Sequence, residues 1–214
     1  MIQGLPEEAI SSHALVAKSA DLGEGVEVGP FATVGWEGES SVAIGPGTKI
    51  FPYVLIEPGA VIGANCVIDA YCRVGAGSMI GNNTRLLYGA AVFDSARIGA
   101  SCIIGGNVAD RTVIEDFVTH FGEIAHDYRH PGDAEAWDRI ESKSPRICER
   151  AVIGQNAVLV GGIIIGAGSV IGAGETVRVN VPPAHLYQNR KLKPLSLLKG
   201  FVEARIDTGA RDDR

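Results

Sequence analysis

The amino-acid sequence predicts an all-β protein folded as a parallel β-helix, and three observations lead to this fold class. Aliphatic residues recur at every sixth position along most of the chain, and glycine directly follows many of them. This spacing matches the two-residue period of a β-strand and not the 3.6-residue period of an α-helix. Aromatic residues make up only 6% of the 214 residues, so the core is expected to contain mainly Val, Ile and Leu.

The periodic aliphatic positions form three runs. They are Ile10, Val16, Leu22, Val28 and Val34; then Ile44, Ile50, Ile56, Ile62, Ile68, Val74, Ile80, Leu86, Val92, Ile98 and Ile104; then Ile153, Leu159, Ile165, Ile171 and Val177. Glycine after each short strand supplies a tight corner, and three such units predict one coil of triangular section. Stacked coils bring the aliphatic side chains into continuous inward columns. A β-sandwich is the alternative, but its turns are spaced irregularly at about 8–12 residues.

Two segments interrupt the period. Residues 36–41 add four residues to one step and are expected to form a small loop at a corner. Residues from about 127 to 150 are charged, contain Pro and Trp, and lack the period. Because binding and catalytic residues often lie on irregular loops of a rigid scaffold, this insertion is a candidate functional segment. We therefore expect a β-helix over residues 1–183 that carries the insertion.

Residues 184–214 are predicted to form a short C-terminal cap helix and a polar tail. The apolar residues that suggest an amphipathic helix are Leu195, Leu197, Leu198, Phe201 and Val202. Such a helix would cover the last coil, whose unpaired strand edges would otherwise favour aggregation.

Composition and charge narrow the class of protein. A formal net charge of −6 argues against a nucleic-acid-binding role, which needs a basic face. The four cysteines form no C-x-x-C pair, and the N-terminus shows no signal-peptide pattern, so we expect a cytoplasmic protein. Residues 157–174 are uncharged and long enough to suggest a membrane span, but six of these eighteen residues are glycine. The repeat explains this segment better, and no membrane span is predicted.

The chemistry-bearing residues are concentrated in one segment. Residues 119–133, "THFGEIAHDYRHPGD", contain three of the five histidines: His120, His126 and His130. Imidazole titrates near neutral pH and is the side chain most often used as a general base. The cluster begins just before the insertion, so the repeats are expected to hold the geometry while the interruption supplies reacting groups.

The repeat units "AVIGANCVIDAYCRVGAGSMIG" and "AVIGQNAVLVGGIIIGAGSVIGAG" resemble those of the hexapeptide-repeat acyltransferases. The resemblance covers about residues 10–181. It implies a left-handed β-helix, a homotrimer, and acetyl-CoA-dependent O- or N-acetylation of a sugar or nucleotide-sugar.

The segment "IAHD", residues 124–127, resembles the part of UDP-N-acetylglucosamine acyltransferases and related sugar N-acyltransferases that carries the general-base histidine. "AHDYRHP" is similar to the corresponding segment of sugar O-acetyltransferases. Both comparisons imply that His126 is the base, with Asp127 or Glu123 holding its ring in one tautomer.

Other candidate residues keep two interpretations each. His120 lies six residues before His126, hence at the same phase of the repeat, and either lines the pocket or fills a corner. Asn107 is either a sugar contact or a buried turn residue. Trp137 either stacks on a sugar ring or anchors the insertion, and His130 is expected at the surface.

The resemblance also implies a donor site along the C-terminal coils, where small residues leave room for the pantetheine arm of coenzyme A. These residues are Gly161, Gly162, Ala167, Gly168, Ala173 and Gly174. Beyond them, Arg190, Lys191 and Lys193 are candidates for contacts with the 3′-phosphate. Their segment, "QNRKLKP", departs from the "GNPA" turn of many relatives, which leaves an acyl-carrier protein open as the donor.

Two other functions stay open at this point. Three histidines also suggest zinc, and the same fold includes gamma-class carbonic anhydrases, although their companion Arg, Asp and Gln residues are not found here, and we expect no metal. A non-catalytic β-helical scaffold protein is the other alternative. The acceptor, and the choice between O- and N-acylation, cannot be read from the sequence.

Overall fold

The computed structural model describes residues 9–126 and 144–197. Nearly all regular structure in this part of the chain is parallel β-sheet, wound into a solenoid of about 9 turns with three flat faces. The predicted fold class, a left-handed parallel β-helix, is confirmed.

Each coil contributes one short strand to each face. Face I contains β1 (Leu15–Val16), β4 (Thr33–Val34), β7 (Leu55–Ile56), β10 (Arg73–Val74), β13 (Ala91–Val92), β16 (Asn107–Val108), β19 (Glu123–Ala125), β22 (Val158–Val160) and β25 (Thr176–Val177). Face II contains β2 (Asp21–Leu22), β5 (Ala43–Ile44), β8 (Val61–Ile62), β11 (Met79–Ile80), β14 (Arg97–Ile98), β17 (Val113–Ile114), β20 (Arg146–Ile147) and β23 (Ile164–Ile165). Face III contains β3 (Glu27–Val28), β6 (Lys49–Ile50), β9 (Val67–Ile68), β12 (Arg85–Leu86), β15 (Ile103–Ile104), β18 (Thr119–His120), β21 (Val152–Ile153), β24 (Val170–Ile171), β26 (His185–Gln188) and β27 (Lys191–Pro194).

The inward columns form the core. From β3 to β25 the second residue of every strand is buried, and all but His120 are aliphatic. Burying each such side chain stabilises the fold by roughly 1.5–3 kcal/mol relative to leaving it exposed. The six-residue aliphatic period of the sequence is therefore the packing period of the coil.

The glycines that follow the strands are needed for close approach between coils. A Cβ atom added to Gly45 would lie 2.5 Å from the backbone nitrogen of Ala64 in the next coil. The left-handed residues of the corners stand at other positions, and they include Asn65 and even Tyr53. The recurrent glycine is thus explained by the short distance between stacked coils, and not by the backbone freedom of a tight corner that the sequence pattern suggested.

The corners between face III and face I change length in two successive coils. Most of these corners hold four residues, such as 87–90 between β12 and β13. Only Gly105 and Gly106 separate β15 from β16, and only Phe121 and Gly122 separate β18 from β19. We call these two the clipped corners. Each clipped corner places the inward positions of all later strands two residues earlier in the sequence than the six-residue period predicts.

Both interruptions of the repeat fall between a face I strand and the face II strand that follows it in the sequence. The small loop connects β4 to β5, and the large insertion follows His126 at the end of β19. Ser144 marks the return of the chain, and its hydroxyl donates a hydrogen bond to the carbonyl of Asp110 at 2.5 Å. The repeat has resumed by Arg146, the first residue of β20. Residues 146–150 therefore belong to the solenoid and not to the insertion predicted over 127–150.

The C-terminal end of the described chain is a β-hairpin. Strand β26 pairs in parallel with β24, and β27 pairs with β26 in antiparallel fashion through a turn at Asn189 and Arg190. Both turn residues have positive φ, as a two-residue hairpin requires. A 3-10 turn, Leu195–Leu197, follows, and Leu198, Phe201 and Val202 of the predicted helix lie outside the described residues. Among the described residues, no helix is long and apolar enough to span a membrane.

Candidate functional site

His126 stands at the corner between faces I and II, directly after β19, and is half-buried. Gly161 occupies the matching position in the next coil, because Ala125 pairs with Val160. The backbone N–H of Gly161 donates to the carbonyl of Ala125 at 3.0 Å. Neighbouring coils lie about 4.8 Å apart, so the backbone of His126 and the Gly161–Gly162 corner are adjacent.

A polar pair lies at the other end of the same strand. Asn107 and Glu123 are register partners in β16 and β19, and the Asn107 side-chain amide donates to the Glu123 carboxylate at 2.6 Å. Both are first residues of their strands and project outward on face I, with Glu123 exposed. At about 3.3 Å per residue, this pair lies roughly 10 Å from His126 along β19.

His120 is inside the coil and reaches no solvent. Its side chain is fully buried in the inward column of face III, between Ile104 and Ile153. Its Nε2 lies 3.3 Å from the carbonyl oxygen of Asn107. Burial lowers the pKa of His120 from 6.5 to about 4, against the opposing effect of backbone groups at Asn107 and Gly122, so the ring is neutral at physiological pH.

The prediction that His120 and His126 share one phase of the repeat is wrong, because His120 is an inward strand residue and His126 lies at a corner. The clipped corner at Phe121 and Gly122 shortens the step from the inward residue His120 to the next inward residue, Ile124, from six residues to four. The inward phase therefore falls on Ile124 and carries His126 to the I/II corner. Only the contact between coils reveals this shift.

The small residues predicted to line the donor groove lie at three different corners. Gly161 and Gly162 share the I/II corner with His126, Ala167 and Gly168 form the corner between faces II and III, and Ala173 and Gly174 form the corner between faces III and I. A single extended arm cannot follow all three corners. Gly168 has a φ of +65°, so the backbone conformation favours glycine at this position independently of any ligand.

Two of the basic residues near the C-terminus, Arg190 and Lys191, lie at the III/I corner, whereas Lys193 pairs with Leu186 farther back on face III. The hairpin turn is held at the III/I corner by the Glu175 carboxylate, which accepts hydrogen bonds from the backbone N–H groups of Asn189 at 2.7 Å and Arg190 at 3.4 Å. Arg190, Lys191 and Lys193 are all exposed. Arg190 and Lys191 lie across face I from the His126 corner, on the last coils.

Arg178 is an additional basic residue near the site that the sequence pattern did not single out. It follows β25 and continues the register of Ala125 and Val160, which places an exposed guanidinium two coils beyond the His126 strand. The sequence signal was only a lone arginine after the last repeat, which carries no information without the register.

Three predicted residues, Asp127, His130 and Trp137, lie outside the described residues. Within residues 9–126 and 144–197, no group of three His, Cys, Asp or Glu side chains is arranged to hold a metal ion.

Comparisons with known proteins agree with the repeat and the fold. Residues 41–76 and 60–93 match the family model described as bacterial transferase hexapeptide (six repeats). A search of curated proteins found no significant match.

Solved structures of similar fold include three acyltransferases. The UDP-N-acetylglucosamine acyltransferase of Francisella novicida matches with a TM-score of 0.60 and 20% identity over 83% of this chain and 65% of its own, so this chain spans just under two thirds of its length. LpxA from Acinetobacter baumannii gives 0.66 at 18% identity, and the UDP-N-acetylglucosamine O-acyltransferase (LpxA) of Moraxella catarrhalis gives 0.59 at 18%. Both of these matches cover 96% of this chain and 79% of the other. At these identities the likeness shows the shared fold.

The burial of neutral His120 predicts a pH-dependent stability. The unfolded chain binds a proton at this histidine below about pH 6.5, whereas the folded protein does so only near pH 4. The free energy of unfolding should therefore decrease as the pH falls from 6.5 to 4, by at most about 3 kcal/mol from this residue. Urea denaturation across this range checks the decrease. His120→Leu should flatten the curve by the same amount, and an unchanged slope in that variant would contradict the assignment.

Proposed function

We propose that the protein is an acyltransferase, because it carries the bacterial transferase hexapeptide repeat and has the fold of UDP-N-acetylglucosamine acyltransferases. The proposed reaction is acetyl-CoA-dependent acetylation of a hydroxyl or amino group on a sugar or nucleotide-sugar. The observation that carries the proposal is the position of His126, which lies beside the Gly161–Gly162 corner and directly after β19, the strand that begins with Glu123 of the Asn107–Glu123 pair.

His126 is the general base. The acceptor hydroxyl or amine loses its proton to the imidazole as its oxygen or nitrogen attacks the thioester carbonyl. Collapse of the tetrahedral intermediate breaks the carbon–sulfur bond, and the thiolate takes the proton back from the imidazolium. Asp127 remains a predicted partner for the ring.

The developing oxyanion needs a hydrogen-bond donor at the same corner. The N–H of Gly161 is already bonded to the carbonyl of Ala125, so it is not available for this purpose. Gly162 is exposed at this corner, and we assign its N–H to the oxyanion.

Coenzyme A crosses face I on the last coils in this proposal. Its phosphates contact Arg190 and Lys191 at the III/I corner, and its thioester reaches Gly162 at the I/II corner. A side of about six residues spans roughly 20 Å, which an extended pantetheine arm can cover. Thr176 is exposed in the intervening surface, and Ala173 and Gly174 flank its III/I end. An acyl-carrier protein would present the same arm, and the donor assay below separates the two.

The Asn107–Glu123 pair is the proposed acceptor contact. The bond between the two side chains leaves the second carboxylate oxygen and the amide oxygen, both of which accept hydrogen bonds. This arrangement suits the hydroxyl groups of a sugar ring and disfavours a phosphate. We keep Trp137 as a predicted ring contact.

Assembly as a homotrimer completes the site in this proposal. Face II exposes Val61 and Met79 to 41% and 42% on neighbouring coils, where they line a shallow groove of about 300 Å³. Ile164, exposed to 46%, lies farther along the same face, with Arg97 and Arg146 in between. Exposed apolar surface such as the Val61–Met79 pair is a candidate interface. Face II meets face I at the His126 corner, so a neighbouring chain packed there would cover the base and exclude water. Three copies close such a contact by cyclic symmetry.

The base can be tested by mutation. His126→Ala should lower kcat by about 10²-fold or more, because general-base catalysis contributes about 10²–10⁴. The measurement is thiol release from acetyl-CoA with a panel of amino sugars, hydroxy sugars and nucleotide-sugars, repeated with acyl-carrier protein as the donor. His13→Ala, in the first coil, is the control and should leave the rate unchanged. Near wild-type turnover in His126→Ala would refute the assignment.

The proposed donor path predicts that a bulky side chain blocks coenzyme A binding at the I/II corner but not at the II/III corner. Gly162→Leu should abolish coenzyme A binding measured by calorimetry, because its side chain would occupy the path of the arm. Ala167→Leu is a matched control, since Ala167 is exposed at the II/III corner away from that path. If Ala167→Leu abolishes binding and Gly162→Leu does not, the donor lies on another face.

The trimer predicts a molecular mass of three chains by light scattering at micromolar concentration. Val61→Glu should shift the protein toward monomer, because its strand partners Ala43 and Met79 carry no charge and the new carboxylate would be buried unpaired at the interface, and it should lower activity at the same time. Lys49→Glu on face III is the control. A fully active monomer would remove both the trimer and the shared site.

A further inference from the structure

One position in the core is out of character with its neighbours. The inward column of face III runs through eight successive coils, and its residues are Val28, Ile50, Ile68, Leu86, Ile104, His120, Ile153 and Ile171. Each is fully or almost fully buried. Seven of these positions are aliphatic, and Leu86 shows that leucine also fits the column.

A histidine at this position does not serve the fold. A buried polar ring loses its hydration and must recover hydrogen bonds from the protein, whereas leucine or isoleucine at the same place gains from burial. Packing therefore favours an aliphatic residue at position 120. Polar groups retained at such a cost are commonly found where a site needs them.

The ring of His120 bonds across a clipped corner. Its Nε2 lies 3.3 Å from the carbonyl oxygen of Asn107, on face I of the preceding coil. A carbonyl only accepts, so the neutral ring donates from Nε2. The bond joins the interior of β18 to the start of β16. It does so in the two coils where the corner has only two residues, Gly105–Gly106 and Phe121–Gly122.

The proposed site lies on the outer surface of β16 and β19. Asn107 presents its amide to the Glu123 carboxylate, and β19 continues from Glu123 to the corner of His126. An imidazole behind the strands and a polar pair in front of them thus share the backbone of Asn107.

We propose that His120 is a positioning residue for this site. Its hydrogen bond to the Asn107 carbonyl holds β16 in the register that lets the Asn107 amide meet Glu123. It does not touch the substrate. The inference rests on the proposed function for its catalytic consequence, while its structural part stands on the contacts alone.

The test compares three variants of the full-length protein. His120→Leu fills the column without a donor, His120→Gln keeps an N–H donor near the position of Nε2, and Ile68→Leu is a control in the same column away from the site. Thiol release from acetyl-CoA with the best acceptor of the panel gives kcat and the KM for each substrate. We expect His120→Leu to melt no lower than the wild type, yet to lose about 10- to 100-fold in kcat with an unchanged donor KM. His120→Gln should recover most of that loss, and Ile68→Leu should match the wild type.

A second readout does not depend on activity. The side-chain amide signal of Asn107 in nitrogen-15 NMR spectra, assigned through Asn107→Asp, should move toward the values of solvated asparagine amides in His120→Leu and stay in place in His120→Gln. If no acetylation is found with any acceptor, the proposed function fails and this signal still tests the positioning. An unmoved Asn107 amide in His120→Leu would overturn the inference. So would a His120→Leu variant that loses rate only together with its melting temperature, which would make the residue structural.

Discussion

The register between successive coils is the constraint on which every other feature of this molecule depends. A strand of two residues makes few hydrogen bonds, so each coil is held by burial of its inward side chains and by pairing with the coils on either side. Leu15 pairs with Thr33, and Arg73 pairs with Ala91, 18 positions later in both cases. A slip by one residue would turn the aliphatic column outward. The chain can therefore gain or lose residues at corners but not within strands.

The departures from the regular coil all obey this constraint. The small loop after β4 and the insertion after His126 both fall between a face I strand and a face II strand, and the residues missing from the clipped corners are missing between strands. The core stays continuous through each of them. What changes is the outer surface: polar residues come to the start of β16 and β19, and a histidine comes to the end of β19. The scaffold thus fixes the separation of these groups to within the stiffness of a β-sheet.

Most buried hydroxyl and thiol groups in this core bond to backbone carbonyls at the corners. Thr48 and Thr84 lie next to corners, where each hydroxyl donates to a carbonyl of the next coil at 2.8 Å. Burial likewise raises the pKa of Cys72 to about 12 and of Cys102 to about 11, so these thiols stay protonated and unreactive. Such groups satisfy backbone carbonyls that the corners expose. His120 is different, because it stands in a strand position that aliphatic residues occupy in neighbouring coils.

The sequence by itself determined the architecture, because the inward residue of a β-helix repeats at a spacing that no helix shares and that can be counted from Ile44 to Ile104 without a structure. It also pointed to His126 through a local four-residue resemblance. The tertiary structure alone decided the phase around the site. Two residues are missing from each of two corners, and this moved His120 into the core and His126 to the I/II corner. Side-chain direction depends on the summed length of all preceding corners, and a corner's length is set by how its coil meets the next one, which no local pattern records.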